Sequence, residues 1–252
     1  MAAEAATCFE PTGTADVATA FITGATSGIG RAMALALTEA GYEVYAVGRS
    51  KAALEELRAA RRGITPIAAD VTDREAMEAV VADLRIDVLI NNAGIMPPLG
   101  NFADMNVADI DAALEVNLSS AILLTRMVVP QMRARGAGHV LFTGSSAAHA
   151  AFPGIAVYSA TKAAIAGFAA ALRADLSPHG VRVTEIVAGR VETQLYRDIL
   201  DAKSRAAMYA GAVVQPEDVA TMVVALLGLP AGADVTRFDI MPTRPTSPSG
   251  AR

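Results

Sequence analysis

The sequence has one cysteine, three lysines and three histidines in 252 residues, and each shortage closes off a chemistry. Lone Cys8 cannot form an internal disulfide, so a reducing, cytoplasmic setting is expected. Nothing near it in sequence would lower its pKa, so it reads as an idle tail thiol rather than a nucleophile. No His/Cys/Asp cluster has zinc spacing, and no metal is expected. No Gly-x-Ser-x-Gly elbow surrounds Ser145, which sets aside a Ser/His hydrolase built with His149. A formal net charge of −5 excludes a protein held to nucleic acid by bulk electrostatics. Residues 1–16 have neither the basic start nor the apolar core of a signal peptide and read as a mobile tail. No apolar run reaches roughly 18 residues without Gly, Pro or charge, so no membrane association is expected.

What is present describes a packed globule. Hydrophobic residues make up 53% of the chain and charged ones 19%, enough for one domain to bury a sizeable core. Residues 17–22 read as a buried strand, then a glycine-rich turn at 23–30, then a helix over 31–37 stopped by Gly41. Strand Glu43–Gly48, helix Lys51–Ala60, strand 64–69, helix 73–84 and strand 87–90 follow. The long amphipathic stretch Val107–Arg135 is expected to break at Pro130. Beyond it lie a strand at 139–143, a helix opening at Tyr158, a strand at 181–187, a mixed segment at 189–212, helix Pro216–Leu227 and a last strand near 235–241. Alternation at this pace predicts an α/β fold with a parallel sheet over residues 17–241, ending in a second tail at 242–252.

Two stretches carry chemistry. Strand, glycine turn and helix in succession are the context in which backbone N–H groups and a helix N-terminus meet a pyrophosphate, here at Gly24, Thr26, Ser27, Gly28, Ile29 and Gly30. Farther on, Tyr158-Ser159-Ala160-Thr161-Lys162 opens an apolar helical run and places Tyr and Lys on one face, one turn apart. An ammonium that close is expected to pull the Tyr pKa down toward neutrality, where a phenol can exchange a proton with an alcohol or carbonyl. The chain uses Arg for most of its positive charge, so a Lys here suggests that a compact ammonium was needed.

Thr23-Gly-x-x-x-Gly-x-Gly30, Asn91-Asn92-Ala93-Gly94, Ser145 and Tyr158-x-x-x-Lys162 stand in one order. Together they resemble the single-domain short-chain dehydrogenase/reductase family over residues 17–241. The resemblance implies a Rossmann-type, doubly wound parallel sheet of about seven strands. It also implies a bound NAD or NADP, a homo-oligomer (tetramer or dimer) and hydride transfer between cofactor and a small carbonyl or alcohol substrate. Carried over by position, Tyr158 is the general acid/base, Ser145 orients the substrate oxygen, Lys162 lowers the Tyr pKa and binds the nicotinamide ribose, and Asn117 holds a relay water. Asp70 and Val71 match the adenine site, Asn92, Ala93 and Gly94 line the cofactor cleft, and Val191 and Thr193 match the carboxamide loop. One departure stands out: the family usually has Pro-Gly where this chain has Ala188-Gly189, which loosens φ there.

Three further expectations concern selectivity. The second strand ends in Gly48-Arg49-Ser50 rather than in a carboxylate, so Arg49 is expected to meet a 2′-phosphate and NADP(H) is the expected cofactor. The segments Pro216-Glu217-Asp218-Val219-Ala220 and Asp239-Ile240-Met241-Pro242 resemble the NADP-dependent 3-hydroxy acid (serine-type) branch, which implies small 3-hydroxy acids or semialdehydes. Bulkier apolar ketones or secondary-metabolite intermediates are the alternative, admitted by the wall at Phe152-Pro153-Gly154-Ile155. Met96, His149 and Phe152 are candidates for the substrate mouth, and Arg190 for a carboxylate anchor. His139 and His179 read as capping or surface residues.

Overall fold

The computed structural model describes residues 17–197, 199–211 and 213–243. The expected tails, Cys8 included, lie outside the described residues except for Pro242 and Thr243. Seven strands form one parallel sheet: β1 (Thr19–Thr23), β2 (Glu43–Gly48), β3 (Ile64–Ala68), β4 (Val88–Asn91), β5 (Gly138–Thr143), β6 (Val181–Ala188) and β7 (Arg237–Ile240). Their order is β3-β2-β1-β4-β5-β6-β7. The chain therefore reverses direction across the sheet between β1 and β4, and a crevice opens there beyond the carboxyl ends of the strands.

Side chains alternate across the sheet and feed two cores. On β1, Ala20 and Ile22 pack with Leu37, Leu54 and Val223, while Phe21 faces Leu124, Val128 and Ile165 on the other side. The first core lies under α1 (Gly28–Glu39), α2 (Lys51–Ala60) and the last helix. The second lies under α3 (Arg74–Val81), α5 (Ser120–Arg135) and α6 (Ala156–Leu176). Each fully buried Phe or Leu contributes about 1.5–3 kcal/mol relative to exposure. Helix ends follow local chemistry. Ser50 accepts from the Ala53 amide at 3.3 Å, Asp73 from Ala76 at 3.0 Å, and Gly136, in the left-handed region, closes α5.

The stretch Val107–Arg135 is interrupted, but not at Pro130. It runs as α4 (Val107–Leu114), a π-helical turn (Glu115–Ser119) and α5, with Pro130 inside α5. Pro130 and Arg126 are both exposed, so water can satisfy the Arg126 carbonyl that a proline leaves without a donor. The stretch has the length and composition of a membrane span, yet Leu124, Val128 and Met132 are buried in the second core. Two short helices complete the chain, α7 (Ala202–Tyr209) and α8 (Pro216–Leu227), the latter opened by Asp218 accepting from the Gln215 amide at 2.8 Å.

The histidines divide. His179 is exposed, as expected, but His139 is 2% exposed and sits inside the sheet. Its Nε2 lies 2.7 Å from Thr184 Oγ1, whose hydroxyl donates to the Val235 carbonyl, so the imidazole donates from Nε2 and leaves Nδ1 bare. Position in sequence cannot reveal this, because the carbonyl that fixes the arrangement belongs to Val235, in the loop before β7.

Candidate active site

The crevice is built by threonines and asparagines that tie three strand ends together. Asn92 and Ala93 both donate backbone N–H to Thr23 Oγ1 at 3.0 Å. The Asn92 amide donates to the Thr23 carbonyl at 3.0 Å and accepts from Thr143 Oγ1 at 3.1 Å. Asn92 thus locks β1, β4 and β5 in register, spending on the frame the polar atoms that were expected to line the cleft.

The glycine turn sits on this frame. Gly28 has φ of +50°, and a Cβ on Gly30 would collide with the Gly24 carbonyl oxygen. Thr26 packs on Gly48, where a Cβ would stand 2.5 Å from Thr26 Cγ2. Helix α1 begins right after the turn. Its N-cap Ser27 makes no side-chain cap and its first turn carries no acidic residue, so the leading N–H groups remain available to an anion. These features fit a dinucleotide pyrophosphate.

At the end of β2, Arg49 is exposed and close enough to Asp70 for its charge to be felt. Asp70 accepts from the Thr72 amide at 3.0 Å and the Thr72 hydroxyl at 2.9 Å. The amide bond chiefly, then the hydroxyl and Arg49, hold its carboxyl below the usual range against partial burial. Val71 beside it packs against the second core.

The side chains expected to react converge from α6, the turn after β5 and the π turn. Tyr158 and Lys162 are 7% and 5% exposed, with the ammonium 5.7 Å from the phenol ring centroid. Ser145 opens a short turn after β5, accepting from the Ala147 amide at 3.1 Å and bonding to the Tyr158 hydroxyl. Asn117 accepts from the Ile95 amide at 2.7 Å, donates to the Ile95 carbonyl at 2.9 Å, and reaches Thr161 on α6 at 3.3 Å. The π turn gives Asn117 the inward aim these bonds require. Gly94 closes the group, since a Cβ there would lie 3.4 Å from Asn117 Oδ1 and 3.7 Å from Lys162 Nζ.

Electrostatics correct one expectation. The Tyr158 phenol is pushed up, not down: burial raises it, the Ser145 bond opposes this, and Tyr196 raises it further. Burial in turn lowers Lys162 to about 8. In so dry a site the cost of either charge outweighs the effect that sequence spacing suggests.

The substrate candidates scatter. Met96 is buried against Tyr158 with Ala147, and Ile155, Leu195, Tyr196 and Ile199 complete an apolar wall. Phe152 is 45% exposed, as are Leu99 and Phe102 to 38% and 59%, on loops joined by a 3.1 Å bond from the Gly100 amide to the Gly154 carbonyl. His149 leaves the mouth. Its Nε2 pairs at 3.0 Å with buried Glu185 on β6, and the ring borders a separate hollow of about 350 Å³ with Ser159 and Ala163. Arg190 is exposed and donates to the Met208 carbonyl at 3.1 Å, which braces α7, and its charge is felt at Tyr196.

Val191 is buried and bridged to Val214, while Thr193 touches the glycine turn, a Cβ on Gly28 falling 3.1 Å from Thr193 Cγ2. Beside that contact lies a hollow of about 720 Å³ bordered by Arg31, Gln194 and Tyr209, next to the cofactor end of the crevice and away from Tyr158. Sequence reasoning missed Thr23, Thr143, Thr161 and Tyr196. Thr23 and Thr143 each directly precede a glycine at a strand end, a signal that could have found them.

The family model described as short chain dehydrogenase matches residues 18–204. An uncharacterized short-chain type dehydrogenase/reductase, y4eK, of Sinorhizobium fredii is 45% identical over 226 residues, covering 89% of this chain and 91% of that one. Sulfoacetaldehyde reductase 2 of Chromohalobacter salexigens is 35% identical over 235 residues, covering 88% and 93%. Among solved structures, the closed form of serine dehydrogenase complexed with NADP+ superimposes with a TM-score of 0.87 at 32% identity, covering 93% of this chain and 98% of that one.

Proposed function

The chain belongs to the short chain dehydrogenase family, and on that footing we propose that it is an NADP(H)-dependent oxidoreductase interconverting an alcohol and its carbonyl compound. One observation carries the reading. Ser145, Tyr158 and Lys162 meet in a buried group beside Gly94, at the carboxyl edge of the sheet that also holds the glycine turn. NADP(H), when bound, supplies or accepts the hydride. The turn at Gly24–Gly30 and the α1 N-terminus would hold its pyrophosphate, and Thr193 and Lys162 its nicotinamide half. Asp70 would face the adenine, and Arg49 a 2′-phosphate. The serine dehydrogenase complex with NADP+ supports that choice of cofactor.

The protein's own part is proton handling. Ser145 orients the substrate oxygen, and Tyr158, kept a phenol by burial, donates the proton as charge builds on that oxygen during reduction. Oxidation needs the phenolate, which only a charged Lys162 at this distance can make accessible. Asn117 fixes the Ile95 loop under the group, and a relay water at Asn117 would lead the proton out.

Small 3-hydroxy acids or semialdehydes are one substrate reading, favoured by relatives whose names specify serine and sulfoacetaldehyde. The wall of Met96, Ile155, Leu195 and Ile199 favours bulkier uncharged carbonyls, and the geometry supports these better. A cytoplasmic homo-oligomer, tetramer or dimer, with one catalytic domain over residues 17–241 completes the proposal. NADPH absorbance followed against a panel of aldehydes, ketones and 3-oxo acids tests it. Carbonyl-dependent NADPH loss is expected; its absence with every compound means that the chain is not a reductase.

A further inference from the structure

Tyr196 took no part in the sequence argument, yet it stands beside the catalytic tyrosine. Thr193 caps the short turn Gln194–Tyr196, accepting from the Leu195 amide at 3.3 Å. Tyr209, at the end of α7, donates to the Thr193 carbonyl at 3.1 Å, and the Arg190 bond to Met208 holds the same helix. The turn is thereby fixed from both sides, and it presents the Tyr196 ring to Met96, Ala147 and Tyr158. Apart from Tyr158 itself, the other members of that wall are hydrocarbon or thioether. Among the described residues, the Tyr196 hydroxyl has no hydrogen-bond partner.

We propose that Tyr196 is the specificity-determining residue of this site, its phenol donating a hydrogen bond to a second, uncharged acceptor oxygen on a substrate whose body lies along the apolar wall. The class is a 3-oxo ester, amide or thioester: the reacting carbonyl at Ser145 and Tyr158, the second carbonyl at Tyr196, and the hydrocarbon against Met96, Ile155, Leu195 and Ile199. This rests on Tyr158 being the proton donor. Burial first, then the charge of Tyr209, raise the Tyr196 phenol, with Arg190 opposing. It therefore stays a neutral donor throughout the physiological range. A donor set in an apolar wall discriminates strongly against substrates that leave it unpaired. Phe102 and Phe152, exposed at the loops above, provide an entry rim that suits the same hydrocarbon.

The test uses the full chain and three probes: methyl acetoacetate, 2-heptanone of matched size, and acetoacetate anion. Wild type is expected to favour the ester over both others in kcat/KM by about tenfold or more. Tyr196→Phe keeps the ring and is expected to lose about tenfold on the ester and less than twofold on 2-heptanone. Its melting temperature and its KM for NADPH should not change. Equal losses on ester and ketone, or none on either, overturn the Tyr196 assignment while leaving the dehydrogenase reading intact. A wild type that prefers the free acid overturns the uncharged class. A wild type that oxidises no NADPH, whatever carbonyl is offered, overturns both the reductase reading and this one, and is told apart from the other failures by that silence.

Discussion

The Lys162 ammonium donates to the Thr143 carbonyl at 2.8 Å, the last residue of β5 holding the cation that faces Tyr158. Among the described residues no carboxylate pairs with it, and burial lowers its pKa from 10.5 to about 8. Only the charged form can stabilise a phenolate, so kcat/KM for alcohol oxidation is expected to fall as pH rises through about 8. Lys162→Met should lower kcat by at least about two orders of magnitude, weaken NADPH and abolish that limb of the pH profile. The same shift acts on stability in the opposite direction. The unfolded chain keeps this proton up to its ordinary pKa, so stability rises with pH between about 8 and 10.5. An unchanged alkaline limb in the variant would assign the titration elsewhere.

Tyr158→Phe removes one oxygen and leaves the ring packed against Met96 and Ala147. Fold and NADPH affinity should hold, while kcat drops by at least about two orders of magnitude. Calorimetry, cofactor titration and steady-state rates together check this. Near-normal turnover would remove Tyr158 from the chemistry.

Arg49 is exposed at the end of β2, close enough to Asp70 for its charge to be felt there. A charge-assisted bond to a 2′-phosphate contributes about 1.5–3 kcal/mol. Arg49→Ala should therefore weaken NADPH by roughly one to two decades and spare NADH. Equal losses with both cofactors would mean that the guanidinium serves the adenine site or Asp70 instead.

How far the sequence could be read depended on where each decision is made. The bounds of Lys51–Ala60 and Pro216–Leu227 were legible because Ser50, and Pro216 with Asp218, decide them locally. So were the glycine turn and the Tyr158/Lys162 pair, whose chemistry is a matter of spacing. The break in Val107–Arg135 was misplaced because Pro130 can be solvated from outside, whereas Asn117 is drawn in by Ile95, a residue 22 positions away. The shift at Tyr158 was read with the wrong sign because burial belongs to the assembled core and not to the helix. Tyr196 was invisible for a similar reason: only the packed turn brings it to Tyr158.

His139 offers a probe of that assembled core. Burial first, then the Arg182 charge, lower its pKa to about 3. Its bare Nδ1 has no partner and Nε2–H is held by Thr184, so the neutral ring is what the fold accepts. Below pH 6.5 the unfolded chain takes up a proton that the folded chain refuses down to about 3, so stability is lost across that window as pH falls. Between pH 7 and 4.5 this one group should cost on the order of 2–3 kcal/mol. His139→Gln can still donate to Thr184 and does not titrate. Its urea midpoint should lie below that of wild type at pH 7, and the gap should close or invert by pH 4.5. Denaturation curves at four pH values measure this directly, and a gap that stays constant across them would mean that His139 is protonated in the folded sheet.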